Sequence, residues 1–297
     1  MTRRRQSSWL PLIALGLLAS PVSTRGQQEP KAFRAATDAV SVAVSVLNGR
    51  RPVSGLTAAD FELLDNGVSQ DITAVTEQIP VDLTLLLDVS PSTAEAIGRF
   101  KSGAQQIAAM LRPVDRVRLI TFATDVIEVF PLRSGGEPMP VEAVTSKGGT
   151  SLHDAVVLAL ARAPVEGRRH LVVVFTDGED TTSVTSGDSL AVIAGRSDSV
   201  LHLVLSGAYG TSFTKPKTMS SLQRAVEETG GEVYPPGRFN DIVDAFKRVF
   251  EDFRQSYVLR YILKGVPGEG WHELTVTLKK PEAKRYTVNA RKRYFGG

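Results

Sequence analysis

LTLLLDVSPST, residues 83–93, is a run of apolar residues from Leu83 to Leu87 that stops on Asp88 and continues with Ser90 and Ser92 at two-residue spacing. Unbroken rather than alternating hydrophobicity is the pattern of a strand covered on both faces, as in a parallel sheet. In extended backbone, residues i, i+2 and i+4 share a side, so the Asp88 carboxylate and the Ser90 and Ser92 hydroxyls are placed to converge on one hard cation. Pro91 removes a backbone donor between the two serines and holds Ser90 extended.

Outward from this segment the pattern repeats. Val117–Phe122, Leu171–Phe175 and Val200–Leu205 are further apolar runs, and helices lie between them. Ile97, Phe100, Ala104, Ile107 and Leu111 keep helical spacing. Leu222, Ala225 and Val226 do so ahead of a Gly230-Gly231 stop, and Ile242, Phe246, Val249, Phe250 and Phe253 form the stripe of a last helix. Alternating strand and helix predict an α/β, doubly wound, mostly parallel sheet with its ligand crevice at the carboxyl ends of the strands. Asp88 and Asp177, the latter in VVVFTDGED, stand at such ends, and Gly148-Gly149-Thr150 offers a hydroxyl on a flexible loop. Each piece has an ordinary use: Asp and Ser as turn and cap residues, Ser151-x-x-Asp154 as a capping pattern, Asp177-Gly178 as a turn. Together, Asp88, Ser90, Ser92, Thr150 and Asp177 give five oxygen donors from three loops. With few anionic ligands and several hydroxyls the set suits Mg²⁺, with Mn²⁺ or Ca²⁺ as alternatives.

At these residues the chain resembles the von Willebrand factor type A (VWFA) domain, whose metal-ion-dependent adhesion site (MIDAS) reads D-x-S-x-S, then a distant Thr, then a distant Asp. The resemblance covers roughly residues 79–254. It implies that Ser90, Ser92 and Thr150 approach the ion directly, that Asp88 and Asp177 hold it directly or through water, and that one position stays open for a partner's carboxylate.

The flanks read as β structure. Val40, Val42, Val44 and Val46 alternate with small or polar residues, and FELLD-NG-VSQDITAV is a hairpin on an Asn66-Gly67 turn. YVLRYIL, HELTVTL and RYTVNAR supply three strands after the central domain. Neither flank has enough strands to close a core alone. They are expected to pair, giving a β-sandwich, residues 33–78 with 255–293, interrupted by the VWFA-like domain, residues 79–254. The linkers fall at Gln78-Ile79-Pro80 and Arg254-Gln255. This layout resembles the bacterial secreted VWFA-related family, on Gly55, Leu56, Asp60, Phe61, Tyr257 and Tyr261.

Residues 1–26, three arginines followed by the apolar run Trp9–Ala19, have the layout of a secretory signal peptide and are too short to span a bilayer comfortably. The chain of 297 residues has a net charge of +3; without these 26, Lys+Arg falls from 35 to 31 against 32 acids and the charge becomes −1. Basicity therefore argues for no nucleic-acid partner. The C-terminal cluster Lys279, Lys280, Lys284, Arg285, Arg291, Lys292 and Arg293 is the local exception, read chiefly as solvated strand faces and turns. There is no cysteine, which excludes disulfides, thiolate metal sites, a cysteine nucleophile and a lipidated cysteine.

The expected protein is exported to the periplasm, cell surface or envelope, with no transmembrane span after signal cleavage. Its expected partner is a protein presenting an Asp or Glu side chain or a C-terminal carboxylate. A structural envelope module with a non-exchanging metal and a metal-assisted hydrolase are the alternatives. The hydrolase is weaker, because Ser90 stands where a second acid is wanted and no nucleophile–base pair is evident. His170 and His202 in or beside strands and His272 beside a sheet edge read as structural; His153, one turn after Thr150, reads as a cap neighbour or core residue, and Glu179 and Asp180 as tuning or loop acids.

Overall fold

The computed structural model describes residues 39–163, 165–205, 216–235, 237–239, 241–279 and 284–297. The signal-peptide reading, and Lys280 of the basic cluster, lie outside them.

A six-stranded sheet carries the candidate site. Its strands, in chain order, are β6 (Val81–Asp88), β7 (Arg116–Phe122), β8 (Val126–Ser134), β9 (Arg169–Thr176), β10 (Val200–Leu205) and β11 (Val233–Tyr234). They lie in the spatial order β11-β10-β9-β6-β7-β8. Every pairing is parallel except β7 with β8, so the sheet is mixed, with one antiparallel edge. All eight residues of the central β6 are buried, which is why it reads as an uninterrupted apolar run.

The pleat then sorts the strand. Leu83, Leu85 and Leu87 face α1 (Ala94–Met110) and α5 (Ile242–Arg254), joining Phe100, Ile107, Phe246 and Val249 in one apolar cluster. Leu86 faces the other side, where α2 (Leu152–Leu160), α3 (Gly187–Arg196) and α4 (Pro216–Thr229) cover Ile120, Val172 and Val174. Asp82, on that second face at the start of β6, is buried among Arg116, Arg162 and Arg168. Arg116 Nε and Arg168 Nε donate to its Oδ1 at 2.8 and 2.7 Å, and Arg162 to its Oδ2. Burial opposes the charge, but these arginines win and hold the carboxyl far below its ordinary range.

The remaining strands come from both chain flanks. β1 (Ala39–Asn48) lies between β12 (Tyr257–Ile262) and β14 (Tyr286–Ala290), with β5 (Ile72–Thr76) beyond β12 and β2 (Arg51–Pro52) on β1. A second sheet runs β15 (Arg293–Gly296), β13 (Gly270–Leu278), β3 (Phe61–Asp65), β4 (Val68–Ser69). The turn between β3 and β4 has Asn66 at φ 46° and Gly67 at φ 78°, the two positive values that a type I′ hairpin requires. One apolar cluster joins Val42 and Val44 of β1, Phe61 and Leu63 of β3, Leu259 of β12 and Leu274 of β13.

Within that cluster Asp65 is fully buried and accepts hydrogen bonds from Tyr261 and Tyr294 hydroxyls at 2.7 and 2.9 Å, while His272 Nδ1 lies 2.7 Å from its other oxygen. The expectation that His272 sits beside a sheet edge is corrected: β13 pairs on both sides, with β15 and β3, because a fourth C-terminal strand follows β14. Of the basic C-terminal residues, Lys279, Lys284 and Arg285 are exposed, and three others form ion pairs within the molecule. Arg291 pairs with Asp198, Lys292 with Glu227 and Arg293 with Glu228.

Candidate functional site

β6 ends on Asp88, and the chain leaves it in a tight, hydroxyl-rich turn. The Ser90 N–H donates to Asp88 Oδ1 at 2.9 Å, an Asx-type turn that fixes the carboxylate on its own strand end. Ser90 is extended (φ −64°, ψ 160°), as Pro91 dictates, and its Oγ lies 3.0 Å from Ser92 Oγ. The Thr93 hydroxyl, 2.8 and 2.9 Å from the Asp88 and Ser90 carbonyl oxygens, closes the turn into the start of α1.

Asp88 is buried at 1% exposure, and its second oxygen accepts from the Thr176 hydroxyl at 2.6 Å. Thr176, the last residue of β9, in turn accepts the Gly178 N–H at 3.0 Å, which orients the Asp177 loop; Asp177 Oδ1 accepts the Glu179 N–H at 3.0 Å. Burial pushes the Asp88 carboxyl up to about 6, further than the Thr176 and Ser90 hydrogen bonds pull it down, and the charge of Asp177 adds to the rise. Among the described residues no basic side chain pairs with Asp88.

Thr150 is placed by contacts to both neighbouring loops. Lys147 N–H donates to Val89 O at 2.9 Å and Ser151 N–H to Ala123 O at 2.7 Å, lacing the loop to the ends of β6 and β7. Gly148 has φ 70°, and a Cβ there would sit 2.5 Å from Thr124 Oγ1, the atom that accepts the Gly149 N–H at 2.8 Å. The two glycines are therefore there for backbone geometry and close approach. Thr150 N–H donates to Thr181 Oγ1 at 2.8 Å, and its carbonyl accepts from the Thr181 and Thr182 N–H groups at 2.8 and 3.0 Å. The structure thus draws the loops of Asp88, Thr150 and Asp177 to the carboxyl end of the sheet and stitches them together.

The capping pattern Ser151-x-x-Asp154 is not what starts α2. Ser151 is the cap residue but turns its hydroxyl to Thr124 O (3.0 Å) and Thr182 Oγ1 (2.8 Å). Asp180 caps the helix instead, accepting from Leu152 N–H at 2.9 Å, and Asp154 returns the favour to the Val184 and Thr185 N–H groups at 2.9 Å each. Burial alone would raise the Asp154 pKa, but the Thr185 and Val184 hydrogen bonds override it and hold the carboxyl below its ordinary value.

His153 is buried between Asp180 Oδ2, 3.3 Å from its Nδ1, and Ser221 Oγ, 3.4 Å from its Nε2. The order acid, imidazole, hydroxyl is that of a nucleophilic triad. The hydroxyl is sealed, however: Ser221 is 4% exposed, and a Cβ on Gly187 would sit 2.6 Å from its Oγ.

Among the described residues no three His, Cys, Asp or Glu side chains cluster to hold a metal; the donors expected from the sequence are two acids and three hydroxyls. Sequence reasoning missed Thr93, Thr124, Thr176 and Thr181. Thr176, adjacent to Asp177, and Thr93, directly after Ser92, were visible signals in the sequence. Thr124 and Thr181 act across the fold and left no local trace.

The chain is similar in fold to several solved structures at low identity. An aerotolerance-related membrane protein from Bacteroides fragilis is 20% identical, over 58% of this chain and 98% of its own, at a TM-score of 0.44. The ArnB paralog VWA2 from Sulfolobus acidocaldarius is 13% identical, over 84% and 75%, at 0.49. Proximal thread matrix protein 1 from the mussel byssus, solved with a zinc-occupied MIDAS motif, is 15% identical, over 64% and 50%, also at 0.49. A comparison with curated proteins gave no match. Residues 83–179 match the family model described as von Willebrand factor type A domain, and the match runs from the first strand of the candidate site through Asp177. Over those residues, about a third of its length, the chain is similar to the von Willebrand factor type A domain family.

Proposed function

We propose that this protein is an exported recognition module that binds one divalent cation, Mg²⁺ by preference, through Asp88, Ser90, Ser92, Thr150 and Asp177 and uses it to hold a carboxylate of a protein partner. The observation that carries the reading is Asp88. A carboxylate removed from water is normally paired with a cation or bound to a metal. Among the described residues Asp88 has neither an arginine nor a lysine beside it, and its neighbours are a second acid and a pair of hydroxyls 3.0 Å apart. That donor set fits a hard divalent ion with oxygen ligands.

Each oxygen of Asp88 already accepts one hydrogen bond, so the carboxylate is oriented before any ion arrives. Two acids just neutralise a divalent ion and the hydroxyls add no charge. A bound ion would therefore supply an electrophilic position able to take one more anionic oxygen. The partner's Asp, Glu or terminal carboxylate fills that role, with the surrounding loops choosing the partner.

The reading is non-enzymatic. The one acid–imidazole–hydroxyl alignment among the residues around the site ends on the sealed Ser221. We read the two flank sheets as a β-sandwich split by the VWFA-like domain, residues 79–254, and acting as its mount. Export rests on residues 1–26; among the described residues no helix is long and apolar enough to cross a membrane.

Calorimetry of the full chain with Mg²⁺ and Mn²⁺ tests the site. One ion should bind, and Asp88→Ala and Asp177→Ala should abolish the heat; variants that bind like the parent would remove the assignment. Pull-downs in Mg²⁺ and in chelator then separate recognition from a structural metal, since a partner retained in chelator is not held through the ion.

A further inference from the structure

At the opposite end of the six-stranded sheet from Asp88, a cleft of about 490 Å³ opens between the starts of β6 and β9 and the outer face of the β1–β12 pair. Its existence follows from side-chain size. On β1 the residues turned away from the flank core are Ala39, Ser41 and Ala43, which pair across the ladder with Ile262, Arg260 and Val258. Small side chains on one strand beside larger ones on the next leave a trough. Val258, Leu263, Phe253 and Phe295 give it apolar walls.

The charges lining the cleft do not balance. Arg162 and Arg168 share the single carboxylate of Asp82, and Arg291 pairs with Asp198. Arg169 and Arg260 have no carboxylate partner among the described residues; the one acidic side chain of the lining left over is the exposed Glu166, and Gly297 also borders the cleft. Arg169 is the telling one. It is buried, its Nη1 donates to the Phe253 and Ser256 carbonyls at 3.0 and 3.3 Å and its Nη2 to Ser256 Oγ at 2.8 Å, and its guanidinium stacks 3.9 Å over the Phe253 ring. Those partners are neutral. Burial with no nearby anion pushes its pKa down to about 9, the mark of a cation that has lost water without gaining a counter-charge. Buried charges are ordinarily paired, and a guanidinium is built to take planar anionic oxygens.

We infer that this cleft is a second binding site, for a small anionic amphiphile whose carboxylate sits between Arg169 and Arg260 and whose apolar body lies against Val258, Leu263 and Phe295. Concavity, apolar walls and a few convergent cations at a junction of two structural layers are what a small-molecule site requires, and the volume falls in the range of such sites. The ligand supplies the negative charge that Arg169 lacks. The site stands apart from the metal site and needs no ion.

Decanoate serves as the probe, measured by calorimetry on the full chain in chelator so that a carboxylate on a metal cannot contribute. Saturable binding of one decanoate is expected, with decyltrimethylammonium, the same tail on a cation, failing to bind. Arg260→Gln, an exposed change that leaves the fold alone, should weaken decanoate at least about tenfold. Ser41→Trp, which fills the trough from β1, should abolish it. No saturable heat, equal affinity for the cationic analogue, or full affinity in both variants would each overturn the inference.

Discussion

Asp180 gives the sharpest test of how the Thr150 loop is held. Its Oδ1 accepts from the Leu152 N–H at 2.9 Å, the His153 N–H at 3.4 Å and the Ser183 hydroxyl at 2.6 Å, and its side chain is 13% exposed. Asp180→Ala removes the N-cap of α2, worth about 1 kcal/mol. It also removes a charge-assisted bond to Ser183 of about 1.5 kcal/mol or more. The N–H groups of the buried Leu152 and His153 regain water only in part, so the total should be about 2–3 kcal/mol. For a folded unit of this size that is a fall in Tm of roughly 5–10 °C. Thermal and urea unfolding in chelator measure it free of any metal contribution. Asp180→Asn keeps the acceptor oxygen and should recover more than half of the loss. If Asp180→Ala lies within about 0.5 kcal/mol of the parent, or if Asn is as harmful as Ala, the cap does not hold the loop.

Four further outcomes follow from other parts of the fold. Asp82→Asn strands three arginines around a neutral group and should cost about 3–5 kcal/mol in urea unfolding; a loss under 1 kcal/mol would mean the arginines reach water. Gly231→Ala places a Cβ 1.8 Å from the Leu201 carbonyl oxygen and should cost more than about 3 kcal/mol or prevent soluble expression, whereas near-parental unfolding would show that the β10–α4 region adjusts freely. Asp252 is raised to about 6, by burial first and with Glu232 adding, against the attraction of Arg248. The unfolded chain releases this proton near 3.8 and the folded one near 6, so stability should fall as pH rises from about 4 to 6; Asp252→Asn should flatten that slope, and an unchanged slope would locate the titration elsewhere. Saturating Mg²⁺, at about 100 times its Kd, should raise stability by about 2.7 kcal/mol, and chelation should reverse this without unfolding the chain; no Tm difference would count against the metal site.

The central α/β architecture was readable because β6, β7, β9 and β10 are buried on both faces, which leaves uninterrupted apolar runs, and because α1 and α5 carry clean stripes. The strands that escaped are those whose burial is partial. In β8 only Phe130 is buried, and Glu128, Pro131 and Arg133 give it the polar, interrupted look of an antiparallel edge. β11 is two residues long, and β15 follows β14 after two basic residues, too short for periodicity to register. Missing β15 is what moved His272 to an edge. Its burial against Asp65, 207 positions away in the chain, is a tertiary fact with no local signature.

At the site, the donor atoms were legible and the scaffolding was not. Spacing along one strand places Asp88, Ser90 and Ser92, because the pleat and Pro91 do that work locally. The supports of Thr150 come from Thr124 and Thr181, 26 and 31 residues away. One consequence of those supports concerns motion. Asp180, three residues past Asp177, caps α2, while Asp154 of α2 holds the N–H groups of Val184 and Thr185 on the same loop. Thr150 is bound on both its N–H and its carbonyl to Thr181 and Thr182. These bonds run in both directions between the two segments, so a displacement of α2 that left the Asp177 loop behind would break the cap and the Thr150 bonds together. The Ser90–Ser92 turn is tied to the Thr150 loop through the Lys147–Val89 bond. Any rearrangement that a ligand drives should therefore carry Thr150, α2 and the Thr181–Thr185 segment together, while Thr176 keeps the start of the Asp177 loop on Asp88.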